Sequence, residues 1–222
     1  MEFPNVSKFG FAVKSTNAKP PKTLEPELTL VGGIKGKFKL NEAASKLLGL
    51  YPTDYLVFVS NEEEVAAAVQ ANDPSILEWA EETGNAPKDF PVSWGIAKGW
   101  AELDMNGNAV KSKKPLTKFE EEELVANGTV DENGKAVAPI IDRVKGSRLS
   151  TKSTEVKLGM ILEGTDGNNC PLLRKDVSDD KHSVYAINPE PVTVEFPNGN
   201  STVEVAVYTI SFAREDDKIE RG

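Results

Sequence analysis

Residues 28–60, LTLVGGIKGKFKLNEAASKLLGLYPTDYLVFVS, contain the pattern that decides the fold. The runs LTLV and KFKL flank a glycine-rich turn, and KFKL alternates lysines with apolar residues, as a strand with one buried face does. Asn41 is a typical N-cap residue and Gly49 a typical helix-ending residue, which predicts a short helix between them. Residues 55–60 predict a third strand that is apolar on both faces, so core is expected on both sides of it.

The glycine-rich turn matches a phosphate-binding loop only superficially. In that motif a glycine stands five residues before a Gly-Lys pair, and serine or threonine follows the pair. Here Gly36 and Lys37 form the pair, but Val31 occupies the position of the first glycine and Phe38 that of the hydroxyl residue. We therefore interpret residues 32–36 as a hairpin turn and predict no nucleotide site.

The run GKFKLNEAASKLLGLYPTDYLVFV is similar to the swapped-hairpin barrel of the AbrB/SpoVT family of transcription factors. A strand, a short helix ending in leucine-glycine, a turn with an acidic residue and a strand follow in the same order. The resemblance covers residues 28–60 and implies a barrel that dimerises by exchanging hairpins and grips DNA with arginines. The matching positions here are lysines: Lys35, Lys37, Lys39 and Lys46. Lysine neutralises phosphate but does not make the two-pronged contact of arginine with guanine.

The composition limits the classes to which the protein can belong. A chain of 222 residues can bury a core without a disulfide or metal, and its single cysteine, Cys170, excludes an internal disulfide or a multi-cysteine zinc site. The net charge of -9 opposes sequence-independent DNA binding, although eight lysines lie in the first 46 residues. Because no long apolar run or signal-peptide pattern is present, we predict a soluble protein made in a cytoplasm, with no membrane partner.

The order of the predicted elements indicates a β-rich α+β protein whose small barrel-like or sandwich β core is built from hairpins. Residues 1–112 form an N-terminal β-rich region, residues 113–157 a helical and hairpin insertion with a basic linker, and residues 158–222 a C-terminal β region. The first and last regions are expected to share one core. Within the first region, residues 8–15 predict an opening strand, and the prolines of residues 15–26 predict an extended connector.

Three helices are predicted in the middle of the chain. A capping box at Ser60 begins the first, over residues 61–72, and Asp73-Pro74 begins the second, which ends near Gly84. A capping box at Thr117 begins the third. The first two helices are interpreted as a lid or packing layer, and the buried stripe of the second is expected to contain Ile76, Leu77, Trp79 and Ala80.

Asn-Gly pairs predict two hairpin turns, one at residues 106–107 and one at residues 133–134. At the first turn, Asp104, Asn106 and Asn108 have the spacing of a calcium loop. However, Ala109 stands where that loop needs glycine, and no glutamate follows at the right distance. A hairpin is therefore predicted there rather than a metal site.

Residues 142–157, DRVKGSRLSTKSTEVK, have the composition of a linker. They are interpreted either as a solvated mobile loop or as an arm that orders on a nucleic acid or on an acidic neighbouring subunit. The candidate contact residues are Arg143, Lys145, Arg148 and Lys152.

The longest predicted strand, residues 202–212, is apolar on both faces. Such a strand must be covered by protein, either from its own chain or from another copy. It is therefore the candidate for self-association, through Val203, Val205, Val207, Tyr208, Ile210 and Phe212. Residues 214–222 are charged and predict a loose tail.

No catalytic, metal or cofactor site is predicted. The single histidine, His182, is placed in a surface loop, and no serine or cysteine elbow accompanies it, so the usual nucleophilic triads lose support. The four glutamates at 120–123 point in four directions on a helix and are interpreted as a solvated face. No pair among the 35 carboxylates stands out for acid–base work. We therefore predict that the protein is not an enzyme, although carboxylates can converge in ways that a sequence does not show.

Two functions remain open. The doubly apolar strand, the proline-rich connectors and the repeated Asn-Gly turns resemble a tailed-phage protein, which implies an assembly or protein-binding role in the host cytoplasm or the virion. Self-association or a larger protein assembly would supply the partner. The alternative is a DNA-binding protein that uses the AbrB-like element together with the basic residues of the segment 143–157.

Overall fold

The computed structural model of the chain describes residues 25–31, 37–150, 152–153, 155–157, 172 and 181–217. Strands predominate, as the sequence predicts for a β-rich α+β protein. The strands are β1 Glu27–Val31, β2 Lys37–Leu40, β3 Tyr55–Ser60, β4 Trp94–Lys98, β5 Lys111–Lys113, β6 Ile140–Asp142, β7 Ser147–Arg148, β8 Glu155–Lys157, β9 Lys181–Ile187, β10 Val192–Asn198 and β11 Ser201–Asp217. The helices are α1 Glu42–Leu47, α2 Glu62–Gln70, α3 Pro74–Thr83 and α4 Lys118–Ala126.

Nine strands form one antiparallel sheet, in the order β7-β3-β4-β11-β9-β1-β2-β8, with β10 paired to β11. The 17-residue strand β11 lies at the centre. Residues 201–207 pair with β10, residues 208–210 with β4, and residues from 210 to 217 with β9. Strands from both ends of the chain therefore alternate in one sheet.

The sheet is curled rather than flat. Strands β7 and β8 stand at opposite ends of the strand order, which in a flat sheet of eight strands would place them about 34 Å apart. Only residues 149–154 join them, and these span at most about 24 Å. The two ends of the sheet must therefore approach each other, and the apolar side chains of the concave face gather into one core.

Helix α1 packs into this concave core. Its N-cap residue is Asn41, as predicted, and the Asn41 Oδ1 atom accepts a hydrogen bond from the Ala44 amide at 2.8 Å. The same oxygen accepts from the Glu27 amide at 3.2 Å, which ties the helix to β1. The main core contains Leu28, Leu30, Phe38, Leu40, Ala44, Leu48, Leu50, Leu56, Ile96, Leu149, Leu172, Tyr185, Ile187 and Ile210.

A second, smaller cluster lies on the convex face of the sheet, where Ala97, Val205 and Val207 are buried. The hairpin formed by β10 and β11 supplies much of it. Gly95 lets β11 come close to β4, because a side chain there would place its Cβ 2.5 Å from the Val207 Cγ1 atom. Strands β3 and β11 each contribute to both clusters, which confirms the core predicted on both sides of β3 and shows that this chain itself covers Val205 and Val207.

The interpretation of residues 142–157 as a mobile loop is wrong for the described part of this segment. Strand β7 pairs with β3, and β8 pairs with β2. Leu149 is only 2% exposed and belongs to the main core. The basic composition of this segment suggested a solvated loop. In the structure, however, Arg148 lies between the buried residues Ser147 and Leu149, as in a strand at the end of the curled sheet.

Three smaller predictions also need correction. Asn61, rather than Ser60, caps α2, and its side chain accepts from the Ser93 amide at 2.7 Å instead of from the helix. His182 lies in β9 and not in a surface loop. The predicted loose tail is a strand as far as Asp217, because it pairs with β9 up to Lys181; the guanidinium of Arg214 also binds Glu27 at 2.5 and 3.2 Å.

The helices α2 and α3 form as predicted, and α3 has the expected Asp73 cap and Gly84 terminus. They do not form a buried layer, however. No residue of α2 is buried, and Ile76 is the only buried residue of α3, whereas Leu77 is exposed. Several predictions lie outside the described residues: the strand 8–15, most of the connector 15–26, the turn 32–36 with Lys35, Cys170, and residues 218–222 of the tail.

Candidate functional site

Residues 101–142, which we call the arm, project from the body between β4 and β7. The arm contains β5, α4 and β6, and the structure describes all of its residues. None of them is buried. A folded segment of this length without a buried side chain has no core of its own, so its surface is unusually available for contact.

The arm is held at its base by paired backbone segments. Ala101 forms a β-bridge with Val144, and the Glu102 amide donates to the Arg143 carbonyl at 2.8 Å. The buried side chain of Asn198 accepts from the Leu103 amide and donates to the Ala101 carbonyl, each at 3.0 Å. These contacts fix the direction in which the arm leaves the sheet.

Turns and a cap give the arm its local structure. At the first Asn-Gly turn, the Asp104 carboxylate accepts from the amides of Asn106 and Asn108, and Leu103 bridges Ala109. These hydrogen bonds lower the pKa of Asp104. The predicted hairpin is confirmed. The same arrangement recurs at the second predicted turn, where the Asp131 carboxylate accepts from the amides of Asn133 and Lys135, and Val130 bridges Ala136.

The capping box of α4 is confirmed and carries the largest carboxylate perturbation in the arm. Glu120 accepts from the Lys114 ammonium at 2.7 Å and from the Thr117 amide at 2.9 Å, while the Thr117 hydroxyl accepts from the Glu120 amide. The Lys114 hydrogen bond, followed by those of Thr117, lowers the pKa of Glu120 from 4.5 to about 2.

The stability of α4 is therefore expected to depend on acid pH. Because the pKa of Glu120 is lower in the folded helix, its stabilisation is complete above about pH 4.5 and is lost as the pH falls toward 2. A carboxyl NMR titration should give a pKa for Glu120 near 2, and Lys114→Met should move that pKa upward. A wild-type pKa near 4.5 would contradict this account of the cap.

Apolar side chains are concentrated on the surface of the arm. Six of the ten exposed large apolar side chains among the described residues lie there: Met105, Phe119, Val125, Val130, Val137 and Ile140. Phe119 is 74% exposed, and its neighbours one helical turn on, Glu122 and Glu123, offer it no apolar contact. The sequence did not lead us to predict this site, although the segment KFEEEELVA has no apolar stripe that could be buried.

The predicted basic contact residues do not gather on one element. Lys37 and Lys39 lie on β2, on the face opposite the buried side chains of Phe38 and Leu40. The other described candidates lie elsewhere: Lys46 pairs with Glu42 at 2.9 Å, Arg143 with Glu102 at 3.0 Å, Arg148 is half-buried on β7, Lys145 is half-buried, and Lys152 is exposed. Lys46 and Arg143 are thus paired with carboxylates.

The predicted self-association strand lies within β11. Val205, Val207 and Ile210 are buried, Val203 and Tyr208 are half-buried, and Phe212 is exposed. Along residues 201–217, the strand pairs in turn with β10, β4 and β9 of the same chain. Its apolar faces are therefore largely occupied by internal packing.

A groove of about 1020 Å³ is lined by the start of β4, the end of β9 and the middle of β11. Trp94, Tyr185 and Phe212 supply its aromatic rings, and its other polar groups are Ser93, Asn188, Thr209 and Ser211. None of its described lining residues carries a carboxylate, imidazole, thiol or amine. The groove therefore offers shape and hydrogen bonds but no residue suited to proton transfer at neutral pH.

Among the described residues, no three histidine, cysteine, aspartate or glutamate side chains gather where they could hold a metal ion. No helix in this part of the chain has the length and apolarity to cross a membrane. Comparison with protein-family models, curated proteins and solved structures finds no match to the chain.

Proposed function

We propose that this chain is a non-enzymatic assembly protein that associates with copies of itself through the arm, as a component of a larger particle such as a phage virion. The observation that carries the proposal is the apolar surface of the arm. Its elements are ordered by caps, turns and backbone pairing, but they bury no side chain of their own. Six of the ten exposed large apolar side chains among the described residues lie in this one segment, and extensive exposed apolar surface is typical of a contact site.

The exposed apolar side chains of the arm are numerous enough to offset the free-energy cost of association. Burying one large apolar side chain contributes roughly 1.5–3 kcal/mol. Association costs about 4–15 kcal/mol of translational and rotational freedom, so several such side chains must be covered together. The arm offers six of them. Polypeptide contact is also consistent with the groove, whose described lining lacks proton-transfer groups.

A matched pair of substitutions tests the proposal. Phe119 and Tyr51 are 74% and 72% exposed, but only Phe119 lies in the arm. Phe119→Ser is expected to weaken self-association about 30-fold, because it removes about 2 kcal/mol of apolar burial, whereas Tyr51→Ser should leave association unchanged. Sedimentation velocity over a concentration series measures both. Equal behaviour of the two variants and the wild type would refute a role for the arm.

A further inference from the structure

The outer edge of β10 has no strand partner among the described residues. Within the part of the chain that the structure describes, β10 pairs only with β11, residues 192–198 against 201–207. An edge of this kind presents backbone N–H and C=O groups that a further strand can bind. Glu195 and Pro197 are typical edge residues, because a charge and a proline both discourage indiscriminate pairing.

An apolar cleft of about 240 Å³ lies against one face of β10. Strands β3 and β4 form its opposite wall. Val192 remains 54% exposed on the cleft, although it shares a face of β10 with the cluster residues Val194 and Phe196. The apolar lining consists of Val59, Trp94, Gly95, Val192, Val194, Phe196 and Val207. A strand added at the edge could insert every second side chain into this space.

The surroundings of the cleft are acidic. Glu64 of α2 contributes to its lining, and Glu195 is exposed on β10. The neighbouring segment 61–90, which contains α2 and α3, carries eight acidic side chains and one lysine. An occupant that combines apolar with basic side chains is therefore favoured.

The N-terminal segment of this chain has that composition. Residues 1–24 contain four lysines and one glutamate, a net charge of +3, so that the other residues account for -12 of the total of -9. Residues 8–15, KFGFAVKS, predict a strand in which Phe9, Phe11 and Val13 share one face. Lys8 and Lys14 flank these three residues.

The connector favours a second copy as the acceptor. Pro20, Pro21 and Pro26 predict an extended chain, in which the 12 residues 15–26 span about 37 Å. The body begins at Pro26, whose carbonyl accepts from the Ile187 amide at 3.0 Å. A spacer that is extended as the prolines predict would hold residues 8–15 away from β1, within reach of a neighbouring copy.

We propose that residues 8–15 of one copy add a strand to the outer edge of β10 in a second copy. Phe9, Phe11 and Val13 enter the cleft, whereas Lys8 and Lys14 lie on the opposite face of the added strand, the face on which Glu195 lies in β10. The inference rests on the proposed function in requiring self-association, but it uses a surface distinct from the arm. Donor and acceptor differ, so the contact is head-to-tail and can extend from copy to copy.

Disulfide trapping between full-length chains tests the placement. In a Cys170→Ser background, one chain carries Ala12→Cys and a second, tagged chain carries Glu195→Cys. Both positions lie on the strand faces that point away from the cleft, so added strands would bring them close. The control acceptor carries Glu78→Cys, which is exposed on α3 and is not among the residues that line the cleft.

We expect the mixed chains to form a disulfide-linked heterodimer with Glu195→Cys at least tenfold faster than with Glu78→Cys. Equal rates would overturn the proposal. So would a double variant, Ala12→Cys with Glu195→Cys, that closes its disulfide within one chain, since residues 8–15 would then bind their own body.

Two further variants separate this inference from the proposed function. Val192→Lys in the cleft should weaken association about tenfold or more, while Thr193→Lys, on the opposite face of the same strand, should not. If Phe119→Ser weakens association and Val192→Lys does not, the arm is the contact and the strand addition is wrong. If the wild type does not associate at all, both proposals fail.

Discussion

Phe38→Ala is expected to lower the free energy of unfolding by about 3–5 kcal/mol. Phe38 is 1% exposed and lies in the main core, with its ring 4.6 Å from that of Phe58. Truncation removes its apolar contacts and leaves a cavity that the curled sheet can close only in part. The free energy of unfolding of a whole domain is about 5–15 kcal/mol, so this loss is a large part of it. The urea concentration at the unfolding midpoint should fall in proportion.

The same substitution in the arm is the control. Phe119→Ala should change the free energy of unfolding by less than about 0.5 kcal/mol, because an exposed side chain contributes little to the folded monomer. The comparison is made well below the concentration at which the chain associates. Similar losses at the two positions would mean that the arm has a packed interior, contrary to the structure.

Gly99→Ala is expected to destabilise the protein by about 3 kcal/mol, at the upper end of the usual range for overpacking. A Cβ atom at Gly99 would collide with the Lys145 carbonyl oxygen and lie 2.7 Å from the Tyr55 Cβ atom. Neither neighbour can move aside as the end of a long side chain can. The site lies where the chain leaves β4 for the arm and later returns, so the two backbones must be in close contact there.

Gly128→Ala is the matched control for this change. Gly128 has a φ of +76°, but no atom lies within 4 Å of the added Cβ. Only the backbone preference is lost, at about 1–2 kcal/mol. Urea denaturation monitored by circular dichroism measures both variants. If Gly99→Ala were no worse than Gly128→Ala, the close approach at the base of the arm would be refuted.

Local sequence patterns predict much of this fold because they report local physics. The alternation in KFKL, the Asn41 cap and the Thr117 capping box each depend on residues within four positions, and each is present in the structure. The doubly apolar strands were also assigned correctly, since a strand with two apolar faces needs two layers of cover. The sequence therefore predicts correctly whether a segment is a helix or a strand where the deciding contacts are between residues close together in the chain.

Pairing between strands that are far apart in the sequence could not be predicted in this way. Residues 147–148 and 155–157 are strands only because β3 and β2 present edges to them, and their own composition is that of a solvated loop. The extension of β11 to Asp217 depends likewise on β9 and on Glu27, 187 positions before Arg214. These pairing partners depend on the curl of the whole sheet, and a short stretch of sequence does not contain that information.

The candidate site was missed for a related reason. Phe119, Val125 and Ile140 look like core residues in a sequence, because apolar side chains usually indicate burial. Their exposure follows from the way in which the arm leaves the sheet at Gly99 and is held by Asn198. Only the three-dimensional structure distinguishes an apolar side chain that is buried from one that is exposed to solvent.

The molar mass of the full chain in solution tests the central claim most directly, namely that this protein works by contact between its own copies. The account predicts, by light scattering at micromolar concentration, a mass above the 24.1 kDa of one chain that rises with concentration. A mass of one chain at every concentration up to hundreds of micromolar would contradict it.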